Sequence, residues 1–117
     1  MIPFKNRFHG HSSLNYVYKN GQAVRCHSMI IKTAANKHRQ DSRIAVVIGK
    51  KTLKSAVGRN RIRRRIYEVI RIILPKLNGV YDIAFIITAS DIINISQQEM
   101  IDQIEQLLGQ AKVLVKK

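Results

Sequence analysis

Acidic residues are scarce in this chain: 7 Asp or Glu stand against 21 Lys or Arg, giving a formal charge of +14 over 117 residues. So few acids cannot neutralise the cations within the molecule, and the imbalance predicts an anionic partner while leaving the fold open. Cysteine is nearly absent too. The lone Cys26 cannot close an internal disulfide, which fits a reducing compartment. No apolar run approaches the roughly 18 residues that a membrane span needs, and the opening MIPFKNRF lacks the apolar stretch of a signal peptide. The first 40 residues carry no acid, as in organelle transit peptides, but they hold helix and strand patterns that belong to a fold, so the chain reads as cytoplasmic. Repeats, low-complexity tracts and Pro/Gly linkers are missing as well. At 45% hydrophobic content, residues 1–117 read as one domain around a single core.

The pattern of apolar positions predicts an alternation of helices and strands. SSLNYVYKNG sets Leu14, Val17 and Tyr18 at i, i+3 and i+4, with Gly21 as the stop of a short helix. QAVRCHSMIIKTA and RIAVVIG are rich in strand formers and are expected to pair as a hairpin across a loop near residues 36–42. After Ser55, an N-cap residue, Ile62, Ile66, Val69, Ile70 and Ile73 mark one face of a helix that Pro75 ends. VYDIAFIIT is a strand apolar on both faces. In the last helix Ser96 and Glu99 form a capping box, Ile95 and Met100 a hydrophobic staple, and Gly109 the expected close; its apolar face is Met100, Ile101, Ile104, Leu107 and Leu108. VLVKK reads as a tail or an edge strand. Helices covering a small sheet make an α+β or α/β sandwich. If the strands near 43–49 and 80–88 are parallel neighbours, general rules favour a right-handed crossover between them.

The charge is uneven. Residues 50–71, KKTLKSAVGRNRIRRRIYEVIR, hold nine Lys or Arg and one acid, Glu68; residues 72–117 hold four and five. Like charges at helical spacing weaken an isolated helix by a few tenths of a kcal/mol per pair, so this crowding needs compensation from outside the chain. The apolar stripe faces the core, while Arg61, Arg63, Arg64 and Arg71 fan around the remaining surface. A merely solvated face would mix signs. Arginine prevails over lysine here, and its planar guanidinium grips phosphate bidentately and stacks on bases. Nucleic acid is favoured over a membrane because the apolar face of the helix is committed to the fold.

At GRNRIRRRI, with Lys50 and Lys51 ahead of it, the sequence resembles the bacterial ribonuclease P protein component: a Lys pair after a strand, an Ala-Val step (Ala56, Val57), then Arg59, Asn60, Arg61, a hydrophobe (Ile62) and two basic residues (Arg63, Arg64). The similarity extends to an N-terminal helix with large apolar or aromatic residues four apart, Leu14 and Tyr18, before Gly21, and covers residues from about 6 to 110. The resemblance implies an α+β sandwich with a sheet of four strands or so covered by helices. It also implies a left-handed βαβ crossover around the basic helix, against the general rule. It implies a protein without catalytic residues of its own that joins a large catalytic RNA. That RNA uses Mg²⁺, held mainly by itself, to cut the 5′ leader from precursor tRNA. Lys50, Lys51, Arg59, Asn60, Arg61, Arg63 and Arg64 would meet the catalytic RNA, and Leu14, Tyr18, Ile30 and Lys32 would line a cleft for the single-stranded leader.

Three departures qualify the carry-over. Leu14 stands where family members often have an aromatic, Thr88, Ala89 and Ser90 follow the later strand where a basic residue is common, and Tyr67 occupies a position that is frequently basic. Other chemistry finds less support. His9, His11, Cys26 and His27 are fragments of a zinc site rather than paired ligands, and read as surface residues. A protein nuclease would need clustered carboxylates for Mg²⁺, whereas Asp82, Asp91, Glu99, Asp102 and Glu105 lie in the acidic third, away from the cations. The alternative to a ribonuclease P subunit is a free-standing RNA-binding or chaperone module with no enzyme attached.

Overall fold

The computed structural model describes residues 11–36 and 40–115, with side chains in the first helix described from Tyr16 onward. His9, and the side chains of His11 and Leu14, therefore lie outside the described residues. Helix α1 (His11–Asn20) leads into strands β1 (Gln22–Arg25), β2 (Met29–Ala35) and β3 (Arg43–Val47); helix α2 (Ala56–Ile73), strand β4 (Tyr81–Ile87) and helix α3 (Gln97–Gln110) follow. Short 3₁₀ turns stand at Leu74–Lys76 and Ser90–Asn94.

The four strands form one mixed sheet in the order β1-β2-β4-β3, with β3 and β4 parallel and the other neighbours antiparallel. This corrects the expected hairpin twice. The segment 22–34 breaks at Cys26–Ser28, where the Cys26 N–H donates to the Met29 carbonyl at 2.9 Å, and makes a hairpin of its own. The segment 43–47 does not pair with it, because β4 lies between them. The physical reason is burial: β4 carries Asp82, Ile83, Ala84 and Phe85 all buried, and a strand apolar on both faces gains most at the centre of a sheet.

Directly opposed residues share a face of a sheet. Val24, Ile31, Phe85 and Val46 therefore form one cross-strand row, and Gln22, Thr33, Ile83 and Ile44 the next. Those apolar residues join Ile62, Ile66, Val69, Ile70 and Ile73 of α2 and Met100, Ile104, Leu107 and Leu108 of α3 in a single core. Each fully buried aliphatic chain contributes about 1.5–3 kcal/mol. On the opposite face the rows are Arg25, Ile30, Ile86, Val47 and Ala23, Lys32, Ala84, Ala45. That face mixes aliphatic, alanine and basic side chains, and α1 packs over β2 and β4.

Caps locate the helices. The Ser55 hydroxyl accepts the Gly58 N–H at 3.1 Å and Ser96 accepts the Glu99 N–H at 3.1 Å. Gly21 follows α1 because space demands it: a Cβ there would lie 2.5 Å from the Val17 carbonyl oxygen. The close of α3 differs from expectation. Gly109 is still helical, and the left-handed residue is Lys112 at φ 61°. Its N–H reaches the Gly109 carbonyl and the Val113 N–H the Leu108 carbonyl, a Schellman arrangement sealed by buried Val113 and Leu108. Beyond it Leu114 bridges to Leu77 and the Val115 N–H donates to the Lys76 carbonyl, so this part of VLVKK is an edge contact; Lys116 and Lys117 lie outside the described residues.

Candidate nucleic-acid interface

Two surfaces hold the residues singled out by sequence, on opposite sides of the sheet. The first is the outer face of α2. Its inner face, Gly58, Ile62, Ile66, Val69, Ile70 and Ile73, is buried, so rotation of the helix about its axis is blocked and the arginines are held in fixed register. Arg61 and Arg64 are exposed and have no hydrogen-bond or ion-pair partner among the described residues. Arg63 donates to the Asn60 side-chain oxygen at 3.1 Å, one turn back. Asn60, Arg63, Arg64 and Tyr67 line a hollow of about 380 Å³.

The remaining cations of the segment divide by role. Arg59 uses Nη1 to hold the Leu53 and Lys54 carbonyls, each at 2.9 Å. It fixes the loop that carries Lys50 and Lys51 and keeps Nε and Nη2 free for another acceptor. Arg65 turns away from the array, reaching Gln97 Oε1 at 3.0 Å and the Ile95 carbonyl at 2.5 Å, and so ties α2 to the start of α3. Arg71 pairs with Glu68 at 3.0 Å.

The second surface is the sheet face beside α1. Lys32 donates to the Tyr18 carbonyl at 2.9 Å, and its ammonium stands 5.7 Å from the centroid of the same ring. Partial burial pushes the Tyr18 phenol above its ordinary value. Ile30 lies in the neighbouring row with Arg25, an exposed arginine without a partner among the described residues. Sequence reasoning missed Arg25, since only the strand register puts it on the face of Ile30 and Lys32. Further along this face Arg43 and Asp82 form a buried, two-pronged ion pair, Nε to Oδ1 at 2.9 Å and Nη2 to Oδ2 at 2.7 Å, with the Asn36 amide also on Asp82.

Between the two surfaces lies a hollow of about 480 Å³ lined by His27, Lys51, Thr52, Thr88, Ala89, Ser90 and Asp91. The rim after β4 has no cation of its own, and the β3–α2 loop brings Lys51 to it. His27 meets Asp91 at 3.0 Å, while Cys26 faces Ser28 at 3.8 Å and Gln103 at 4.0 Å. Among the described residues no helix is long and apolar enough to cross a membrane.

A buried apolar seam, exposed arginines of which Arg61 and Arg64 have no partner among the described residues, and a half-open sheet face fit a small basic α+β protein of the RNA-binding class. The family model described as Ribonuclease P matches residues 2–112. A ribonuclease P protein component from Pseudanabaena sp. is 30% identical over 115 residues, covering 97% of each chain. One from Chloroflexus aurantiacus is 36% identical over 85 residues, which span 73% of this chain but 62% of that relative's length. The Staphylococcus aureus RNase P protein superposes with a TM-score of 0.83 at 24% identity over 94% of this chain and 98% of that one, a likeness of fold. The chain belongs to the bacterial ribonuclease P protein family.

Proposed function

We propose that this chain, read as one RNA-binding domain over residues 1–117, seats the outer face of α2 on the catalytic RNA of ribonuclease P. On this reading the sheet face beside α1 holds the 5′ leader of precursor tRNA. Arg61, Arg63 and Arg64 contact the ribose-phosphate backbone together with Asn60, and Lys50, Lys51 and the free edge of Arg59 extend that contact at the start of the helix. Leu14, Tyr18, Ile30 and Lys32 form the leader cleft, joined by Arg25. Tyr18 supplies a stacking face that tolerates any base, worth about 1–3 kcal/mol per base, which suits leaders of differing sequence. The observation that carries the reading is the pair Arg61 and Arg64, without a partner among the described residues, on a helix whose opposite side is buried.

Magnesium enters through the RNA. Guanidinium and ammonium groups on the α2 face repel a dication, Asp82 is engaged by Arg43, and no three His, Cys, Asp or Glu among the described residues gather as ligands. These residues do not fit a Mg²⁺ site, whereas phosphate oxygens are the hard ligands it prefers. The protein's own part is to neutralise phosphate charge and to position the leader in the cytoplasm, where its unpaired thiol stays reduced. The test is cleavage of precursor tRNA by the cognate catalytic RNA at low Mg²⁺. Acceleration on adding the protein is expected. Unchanged cleavage would leave the free-standing RNA-binding or chaperone module as the better reading.

A further inference from the structure

Along α2, Asn60, Arg63, Arg64 and Tyr67 stand at i, i+3, i+4 and i+7 and enclose one hollow of about 380 Å³. Residues at this spacing share one stripe of the helix surface. Tyr67 is half-buried, with part of its ring against the core, and its hydroxyl has no partner among the described residues. The part of the ring not committed to the core faces the hollow beside Arg63 and Arg64. The Asn60 oxygen is occupied by Arg63, which fixes the amide and leaves its N–H₂ free as a donor. Arg64 adds an unpaired guanidinium plane. An aromatic ring, an oriented amide and a guanidinium within one slot form a chemistry that phosphate alone does not require but a nucleobase does, because RNA is read chiefly at unstacked bases held against aromatic rings and arginine planes.

We propose that this slot takes one unpaired nucleobase of the catalytic RNA, stacked on Tyr67 and hydrogen-bonded by Asn60, so that α2 reads a base as well as the backbone. The proposal rests on the reading of α2 as the face toward that RNA. It makes Tyr67 a functional replacement for charge: stacking instead of a phosphate contact at that position.

The test titrates the full chain with the cognate catalytic RNA across a salt series. Tyr67→Leu, which keeps apolar bulk and removes the ring, should bind about 5- to 100-fold more weakly at an unchanged log-log salt slope, since no phosphate contact is lost. Tyr67→Phe, which keeps the ring, should stay within about twofold of the parent, and a loss as large as that of Tyr67→Leu overturns the slot. The chain has no tryptophan, so Tyr67→Trp provides a single tryptophan that can be excited apart from the tyrosines, and saturating RNA should quench it. Parental binding by Tyr67→Leu, or Tyr67→Trp emission untouched by bound RNA, overturns the slot; the second readout decides if the leucine variant does not fold. Failure of the α2 reading looks different: Arg61→Ala and Arg64→Ala would then leave affinity and salt slope unaltered.

Discussion

The two faces of the sheet are built by different rules. Beneath α2 and α3 the rows are large and apolar, Ile31, Phe85, Val46 and Ile83, and they are fully covered. Beside α1 the rows mix basic, small and aliphatic side chains, Arg25 and Lys32 with Ala23, Ala45 and Ala84 and with Ile30, Ile86 and Val47, and several are only partly covered. The first face makes a rigid mount for an arginine helix; the second makes a shallow trough. Rigid display of charge suits a large partner with a fixed shape and gives affinity that falls with salt. A trough with one aromatic suits a flexible strand whose sequence varies.

The contrast can be broken at several points, beginning with the largest effect. Asp82→Ala should remove the two-pronged partner of the Arg43 guanidinium in a site where Asp82 and Arg43 are 4% and 5% exposed. A loss of about 3–5 kcal/mol on chemical denaturation is expected. A smaller loss would mean that the trough face is wetter than its burial indicates. Ile66→Ala removes a side chain buried under the α2 arginines and should cost about 2–5 kcal/mol. Its RNA affinity, measured where the variant remains folded, should fall without any cation having been removed.

On the trough side, Tyr18→Ala should weaken leader-bearing tRNA by about 1–3 kcal/mol and leave mature tRNA unchanged in a competition assay; equal loss for both would remove the cleft assignment. Smallest in affinity, Arg61→Ala should reduce the salt slope for the catalytic RNA by roughly one unit per lost phosphate contact, and Arg63→Ala should act in the same direction. An unaltered slope in both would mean that the array does not touch phosphate.

Local patterns carried far in this chain. The Ser55 and Ser96 caps, the α2 seam of isoleucines and the stop at Gly21 were legible because each depends on residues within one or two turns of each other. The hairpin expectation failed because strand order depends on which strand gains most from burial on both sides, a property of the whole sheet. Gly109 misled because a glycine near a helix end is only one solution; here Val113 and Leu108 seal the close and Lys112 takes the left-handed residue. Among the arginines, composition made five within seven residues look equivalent. Tertiary contacts separate them, with Arg65 held by Gln97 and Ile95, Arg59 holding the Leu53–Lys54 loop, and Arg61 and Arg64 without a partner among the described residues. Tyr67 could have been placed in the same stripe from its spacing alone.

The sequence by itself determined that a cationic helix with a buried seam would exist, because period and charge sign are written into consecutive residues. Only the tertiary structure decided which guanidinium groups remain available, and that Arg25 shares a face with Ile30 and Lys32. Both outcomes depend on distances between residues far apart in the chain, and those distances are set by strand register and by the packing of α3 against α2.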